Sequence, residues 1–215
     1  MPDFYYASMS PPCRAAHLVA KAVGVDLNLK PIDLSKGEHK NPDFVAINPQ
    51  HCVPTLVDGD LTLWESRAIC TYLASQYGKN DSFYPTDPKT RAKIERFLYF
   101  DMGTLYDRFG KYAYPVLFSG ERPDPAKLEN LHEALGWLND FIAGSSWAVG
   151  ESYTVADCVL VASVSSFEAA GIDLSRYSRI TTWLEKCKTS LPGYDEVSAQ
   201  GLAIFTGFAK EALSK

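Results

Sequence analysis

The chain has 215 residues, of which 46% are hydrophobic and 22% are charged, as in globular proteins that bury a core in one large or two small domains. Its net charge is −5 and its lysines and arginines form no run, which argues against nucleic acid and anionic membrane surfaces as partners. The longest strongly apolar stretch, residues 155–164, is too short to span a bilayer.

The cysteines and the N-terminus indicate the compartment. The five cysteines lie far apart, and no pair has CxxC or metal-site spacing. The N-terminus lacks a basic segment followed by an apolar one, so no secretory signal is visible. We therefore expect a reduced, cytoplasmic protein without structural disulfides or a bound metal.

The first 79 residues mix short strands with helices. The predicted strands are residues 4–6, 26–33, 55–57 and 61–63. The predicted helices are residues 14–24, a short one opening at 41–44, and 65–77. This order of elements suits a small mixed sheet covered by helices.

Strand patterns disappear after a polar linker at residues 80–88. Residues 89–120 predict one long helix, which Pro115 is expected to kink or end. The later predicted helices are residues 127–143, 154–170, 180–189 and 199–213. We therefore predict two domains, an α/β domain at 1–79 and an all-helical domain at 89–215.

The helix predicted at 154–170 has a distinctive start and composition. Thr154 and Asp157 form a capping-box pattern, with Asp in place of the usual Glu. The helix that follows is nearly all apolar, and a helix that is apolar all round must be buried.

Residues 48–69 carry the most informative pattern. Proline has no N–H, so Val53 before Pro54 is typical of edge backbone whose own N–H and C=O are free for a ligand, and a cis Pro54 is one way to aim them. Glu65 and Ser66 then open a helix, whose first N–H groups suit a carboxylate. Together these features predict a site for a small, extended peptide with an acid end.

Ser10 is the candidate for chemistry. In a CxxC redox motif the first cysteine is the exposed thiolate at a helix tip; here that position is Ser10, and Cys13 takes the second. A hydroxyl there can donate a hydrogen bond to another molecule's thiolate and lower its pKa. A shift of roughly two units from about 8.5 makes such a thiol mostly ionised at pH 7. Ser10 could instead serve only as a helix N-cap, and Ser8 could be the hydroxyl that matters.

Taken in order, these motifs resemble the insect delta-class cytosolic glutathione S-transferases, with the epsilon class next closest. Further pieces of the resemblance are Tyr5-Tyr6, residues 36–39, Tyr84-Pro85 and residues 100–106. The resemblance covers almost the whole chain. It implies a thioredoxin-like N-terminal domain, an all-α C-terminal domain, a homodimer, and detoxification by transfer of glutathione to small apolar electrophiles.

The resemblance also implies roles for individual residues. Ser10 would activate the glutathione thiol, and His39 and His51 would hold the glycyl carboxylate. Val53, aimed by a cis Pro54, would pair its backbone with the cysteinyl unit of glutathione.

At the other end of glutathione, Glu65 would bind the γ-glutamyl ammonium and Ser66 its carboxylate, with Arg67 beside them. The helical domain would supply a permissive pocket for the electrophile. Its candidates, of which about half are expected to be core, are Tyr106, Phe109, Tyr112, Tyr114, Leu117, Phe118, Phe205 and Phe208.

Three functions stay open from the sequence. The first is glutathione conjugation, and the second is glutathione peroxidase or dehydrochlorinase activity on the same scaffold. The third is a non-enzymatic carrier of apolar ligands or glutathione conjugates. Ser10 together with Glu65 and Ser66 argues against the carrier, because binding alone needs no activated thiol.

Overall fold

The computed structural model describes residues 1–213, except for the side chains of residues 210, 211 and 213; the last two residues of the predicted helical domain lie outside the described part. The strands are β1 (Asp3–Tyr6), β2 (Asn28–Pro31), β3 (Thr55–Asp58) and β4 (Leu61–Trp64). The helices are α1 (Pro11–Val23), α2 (Pro42–Ile47), α3 (Ser66–Tyr77), α4 (Pro88–Phe100), α5 (Tyr106–Ser119), α6 (Pro125–Phe141), α7 (Val155–Ala169), α8 (Ser178–Ser190) and α9 (Tyr194–Leu213).

Within the described residues the strands form a mixed sheet in the order β2-β1-β3-β4. β1 runs parallel to β2 and antiparallel to β3, with Phe4 beside Leu29 on one side and Leu56 on the other. Phe4 and Leu56 are fully buried in the core that α1 and α3 share. Tyr5 points to the opposite face, where its ring meets Phe44 of α2 at 5.5 Å.

α1 begins three residues earlier than the sequence pattern predicts. Ser10 is its N-cap, and Pro11 and Pro12 occupy the first helical positions, where a missing N–H costs nothing. The helix ends at Gly24, whose φ of 74° is left-handed. Ser10 therefore lies immediately at the helix tip.

The predicted long helix at 89–120 is helical throughout but is not one regular α-helix. α4 passes through a π-helical turn at Asp101–Leu105 and continues as α5. Pro115 lies inside α5 and does not end it; α5 ends at Ser119, before the left-handed Gly120. The π turn brings Asp101 to a fully buried position.

α7 forms the centre of the helical part, as its composition predicts, and is buried from Val155 to Phe167. The predicted capping box is confirmed: Thr154 Oγ1 accepts from Ala156 N at 3.3 Å, and the Asp157 carboxylate accepts from Thr154 N at 2.9 Å. α1 packs on α7 from one side and on α3 from the other, so it joins the two parts of the molecule. None of the helices within residues 1–213 is long and apolar enough to cross a membrane.

Candidate active site

Ser10 stands where β1 ends and α1 begins. Its N–H donates to Ala7 O at 3.0 Å, and its Oγ accepts from Cys13 N at 3.4 Å, so Ser10 does cap α1, the role that the sequence analysis left open as an alternative. Accepting that bond leaves the hydroxyl proton free to be donated. The cap therefore fixes a hydroxyl donor at the tip of a helix, where the dipole also favours negative charge.

Cys13 is not the reactive group of this segment. It is buried, and its Sγ accepts from Ala7 N at 3.5 Å. Burial raises the pKa of the Cys13 thiol to about 11, so it stays protonated at neutral pH. Among these residues, the hydroxyl of Ser10 is thus the group placed for chemistry at the helix tip.

The Val53-Pro54 peptide bond is cis, as the sequence analysis anticipated. β3 starts at the next residue, Thr55, and none of the described hydrogen bonds uses the backbone of Val53. This is the arrangement that an extended peptide needs in order to pair with Val53.

Asn48 supports this loop, a role that the sequence analysis missed. Its fully buried side chain donates to Cys52 O at 3.2 Å and to Thr55 Oγ1 at 2.9 Å, and accepts from Gln50 N at 2.9 Å. The signal in the sequence was an Asn-Pro step before a turn, where Asn commonly bonds to backbone two residues on. Asn48 thereby ties the loop to the first residue of β3.

His39 and His51 lie together, with ring centroids 6.1 Å apart. His51 is exposed and has a φ of 43°, whereas His39 is half-buried, and its Nδ1 is buried without a partner among the described residues. Burial, aided by the nearby charge of Lys40 and by His51, lowers the pKa of His39. The pair forms a polar corner near the Val53-Pro54 step.

Glu65 and Ser66 stand at the start of α3. Glu65 has a φ of 68°, a conformation that costs a non-glycine residue about 1–3 kcal/mol and is often found at binding sites. Its side chain is exposed, while Ser66 is buried and its Oγ accepts from Arg67 Nη1 at 2.8 Å. An acid and a helix N-terminus therefore lie side by side, which suits a zwitterionic head group.

Arg67 connects this corner to the helical part. Its Nη2 forms an ion pair with the fully buried Asp101, and its guanidinium lies 5.7 Å from the centre of the Tyr106 ring. Burial raises the pKa of the Asp101 carboxyl, and Arg67 opposes that rise. Sequence analysis included Asp101 in the motif at residues 100–106 but gave it no role, because nothing local marks the π turn that carries it.

Some of the predicted electrophile residues share one cleft. Tyr106, Tyr114 and Phe118 line a cleft of about 600 Å³ beside α5, and the hydroxyls of the two tyrosines hydrogen-bond to each other. Phe208 of α9 joins them, since its ring centroid lies 5.7 Å from that of Phe118. Burial raises the pKa of both tyrosines, so they are neutral donors and acceptors at neutral pH.

The structure does not bring the other four predicted pocket residues to this cleft. Phe109, Leu117 and Phe205 are buried in the core, where Phe109 stacks on Phe167 at 4.4 Å. Tyr112 lines a separate cleft of about 820 Å³ between α5, α6, α7 and α9, which contains none of the predicted glutathione residues. The spacing of aromatic residues along the sequence could not show which of them pack in the core and which line the cleft.

Comparison with known proteins gives the same picture. A family model for the N-terminal domain of glutathione S-transferases matches residues 3–75, and one for the C-terminal domain matches residues 105–186. A delta-class glutathione transferase of Nilaparvata lugens is 50% identical, with a TM-score of 0.96 over 99% of this chain and 100% of that one.

Two further solved structures bear on the class. A Bombyx mori glutathione transferase is 43% identical, with a TM-score of 0.93 over 96% of this chain and 97% of that one. An epsilon-class glutathione S-transferase of the housefly Musca domestica is 32% identical, with a TM-score of 0.93 over 99% of this chain and 98% of that one.

The fold joins a thioredoxin-like domain to an all-helical domain, which is the architecture of a glutathione transferase. The Ser10 hydroxyl and the cis-proline loop at Val53-Pro54 belong to the thioredoxin-like domain. The chain belongs to the glutathione S-transferase family. Its greater identity to the delta-class enzyme than to the epsilon-class one supports the delta class.

Proposed function

We propose that this glutathione transferase conjugates glutathione to small apolar electrophiles in detoxification, and that the Ser10 hydroxyl stabilises the thiolate. The observation that carries the proposal is the geometry of Ser10, whose Oγ accepts from Cys13 N and keeps its proton for another acceptor. A glutathione transferase homolog of Drosophila mojavensis, 31% identical with a TM-score of 0.92 over 98% of this chain and 97% of that one, was solved with bound glutathione.

Glutathione would lie across the junction of the loop and the two helix tips. The cysteinyl unit pairs with the backbone of Val53, which the cis Pro54 orients. The glycyl carboxylate meets His39 and His51, whose rings lie close together. The half-buried Ser10 then faces the thiol.

The γ-glutamyl end binds at the start of α3. Glu65 takes the ammonium, and Ser66 with the helix N-terminus takes the carboxylate. Arg67 holds the Ser66 hydroxyl at 2.8 Å and is itself held by Asp101, so it positions Ser66. The two charges of the γ-glutamyl group are thus bound separately, the ammonium by an acid and the carboxylate by an anion site.

In the reaction, the thiol proton leaves to solvent and the Ser10 hydroxyl donates to the sulfur. The thiolate sulfur attacks the electrophilic carbon and forms the new C–S bond, and the leaving group departs with its electron pair. The electrophile lies in the cleft of Tyr106, Tyr114, Phe118 and Phe208. The aromatic rings offer apolar surface, and Asp107, Lys111 and Glu121 also line the cleft.

The test is an ultraviolet titration of the thiolate of bound glutathione in the wild type and in Ser10→Ala, with conjugation of a chlorodinitrobenzene-type electrophile measured in parallel. We expect a thiol pKa about two units below that of free glutathione in the wild type, and its return to the free value in Ser10→Ala with loss of turnover. Ser8→Ala is the matched control and keeps the low pKa. An unshifted thiol in both proteins that still bind glutathione favours the carrier.

Peroxidase and dehydrochlorinase activities begin from the same thiolate, so a panel of peroxides and chlorinated substrates separates them from conjugation. We also propose a homodimer, supported by the large exposed ring of Tyr99 on α4. A cytoplasmic location is supported by the five free cysteines.

A further inference from the structure

Arg14 is a buried arginine directly behind the Ser10 helix tip. It is 1% exposed, and Nη1 donates to Ser8 O at 3.2 Å and to Met9 O at 2.8 Å. Nη2 reaches across to α7, where it donates to Ala162 O at 3.2 Å and to the hydroxyl of Ser166. The side chain therefore fixes the loop before Ser10 to the central helix of the other domain.

All of these partners are neutral. No ion pair of Arg14 occurs among the side chains that the structure describes, and its Nε has no partner there. The titratable groups that act on it are Cys13 on α1, Tyr106 and Tyr114 on α5, and Tyr194 on α9. Burial raises the pKa of each, so none carries a charge at neutral pH.

The charge itself persists. Burial lowers the pKa of Arg14, but only to about 10, so the guanidinium is protonated at neutral pH. Arg67 differs in this respect, because the buried Asp101 balances its charge. The described interior beside the thiol site thus holds one paired and one unpaired cation.

The unpaired cation lies close to the reacting position. Arg14 Nη1 is 2.8 Å from Met9 O, and the oxygen and nitrogen of one peptide group are about 2.3 Å apart, so the guanidinium lies within about 5 Å of Ser10 N. Arg14 is buried and Ser10 is half-buried, so solvent screens the interaction between them only in part. A negative charge that forms at the Ser10 hydroxyl therefore interacts with this cation.

We propose that Arg14 is the buried counter-charge of the glutathione thiolate, adding charge stabilisation to the hydrogen bond from Ser10. The inference rests on the proposed function of Ser10 and deepens it. Arg14 does not contact the sulfur, so it is a positioning residue that acts through its field and through the loop it holds.

Ser166 on α7 allows the charge to be tested without removing Arg14. Ser166→Asp places a carboxylate beside the guanidinium, whereas Ser166→Ala removes only the hydroxyl. We expect Ser166→Asp to raise the pKa of the bound glutathione thiol by about one unit, the size expected for one neutralised charge roughly 10 Å away at an effective dielectric constant of about 20. Ser166→Ala should leave the thiol pKa within a few tenths of a unit of the wild type.

Substitution of Arg14 gives the second, independent measurement. Arg14→Gln removes the charge and should raise the thiol pKa by a similar amount, while Arg14→Lys keeps the charge and should retain the low pKa even if fewer hydrogen bonds lower stability. The pH profile of kcat/KM should shift in parallel, and circular dichroism with glutathione affinity verifies folding. If Arg14→Gln does not fold, the Ser166 pair decides alone.

The outcomes separate this inference from the proposed function. A low thiol pKa in the wild type that Ser10→Ala abolishes, but that Ser166→Asp and Arg14→Gln leave unchanged, overturns the role of Arg14 and preserves that of Ser10. An equal rise of the thiol pKa in Ser166→Asp and Ser166→Ala also overturns the role of the Arg14 charge, because the two variants share only the loss of the hydrogen bond between Arg14 and Ser166. If the thiol pKa of bound glutathione in the wild type equals that of free glutathione, the proposed roles of Ser10 and of Arg14 are both overturned.

Discussion

At the scale of single residues, the cysteines differ sharply in their surroundings. Cys13, Cys70, Cys158 and Cys187 are buried, and burial raises the pKa of Cys13 to about 11 and that of Cys70 to about 12. Cys52 is half-buried in the loop of the cis proline, with its Sγ 3.4 Å from Asn48 Nδ2. A thiol reagent therefore meets one accessible cysteine, next to the glutathione site.

We expect iodoacetamide under mildly alkaline conditions to modify Cys52 well before the others, and glutathione to slow that reaction. Peptide mass spectrometry over time measures both effects. Cys52→Ala should abolish the fast phase, whereas Cys13→Ala should leave it intact. Modification of Cys13 ahead of Cys52 would contradict the burial that the structure assigns to it.

The same scale explains which site residues the sequence could reveal. Ser10, the Val53-Pro54 step and Glu65-Ser66 belong to short motifs whose geometry is set by neighbours in the chain, so their positions were predictable. Arg14 depends on Ser166, which lies 152 residues away. A buried arginine in a helix looks like a surface residue until its distant partners are known.

At the scale of elements, α9 approaches the loop before Ser10 so closely that only glycine fits. A Cβ on Gly201 would lie 2.1 Å from Ser8 O, a distance at which something must move. Gly207 lies on the same helix with no atom within 4 Å of its would-be Cβ. The same change to alanine can therefore be compared at a crowded position, Gly201, and at an open one, Gly207.

Gly201→Ala should destabilise the protein by about 1–3 kcal/mol through overpacking, and should reduce turnover by displacing the loop that carries Ser10. Gly207→Ala should be neutral or stabilising by up to about 1 kcal/mol, because alanine favours helix. Urea unfolding and steady-state kinetics of both variants measure the difference. Equal behaviour of the two would show that α9 does not press on the loop.

Element boundaries show where sequence patterns stop being informative. The periodicity over residues 89–120 correctly predicts a continuous helical path, but it cannot show the π turn at Asp101–Leu105, because a single wide turn barely changes the spacing of apolar residues. The start of α1 was predicted too late, because two prolines look like a break although they fit the first helical turn.

At the scale of the whole molecule, an apolar patch on α4 and the π turn bears on assembly. Tyr99 of α4 is 67% exposed, and Met102 of the π turn, which also lines the cleft of Tyr106 and Tyr114, is 43% exposed. If the proposed homodimer uses this face, Tyr99→Glu should weaken it by at least tenfold, since a charge would be buried at the contact.

Sedimentation over a range of concentrations tests this expectation. The wild type should have about twice the monomer mass of 23.8 kDa. Ile204→Glu is the matched control, because Ile204 is 48% exposed on α9, and it should keep the dimer. A monomeric wild type would contradict the proposal, and an unchanged Tyr99→Glu dimer would place the contact elsewhere.

The position of α1 has a consequence for how substrates enter. α1 is wedged between α3 and α7, and Arg14 fastens it to α7. Rotating one domain away from the other would break the hydrogen bonds of Arg14 to α7 and expose the apolar surface of α7 to water. A hinge opening between the two domains is therefore energetically unfavourable. If the proposed function holds, electrophile and product exchange without separation of the two parts of the molecule.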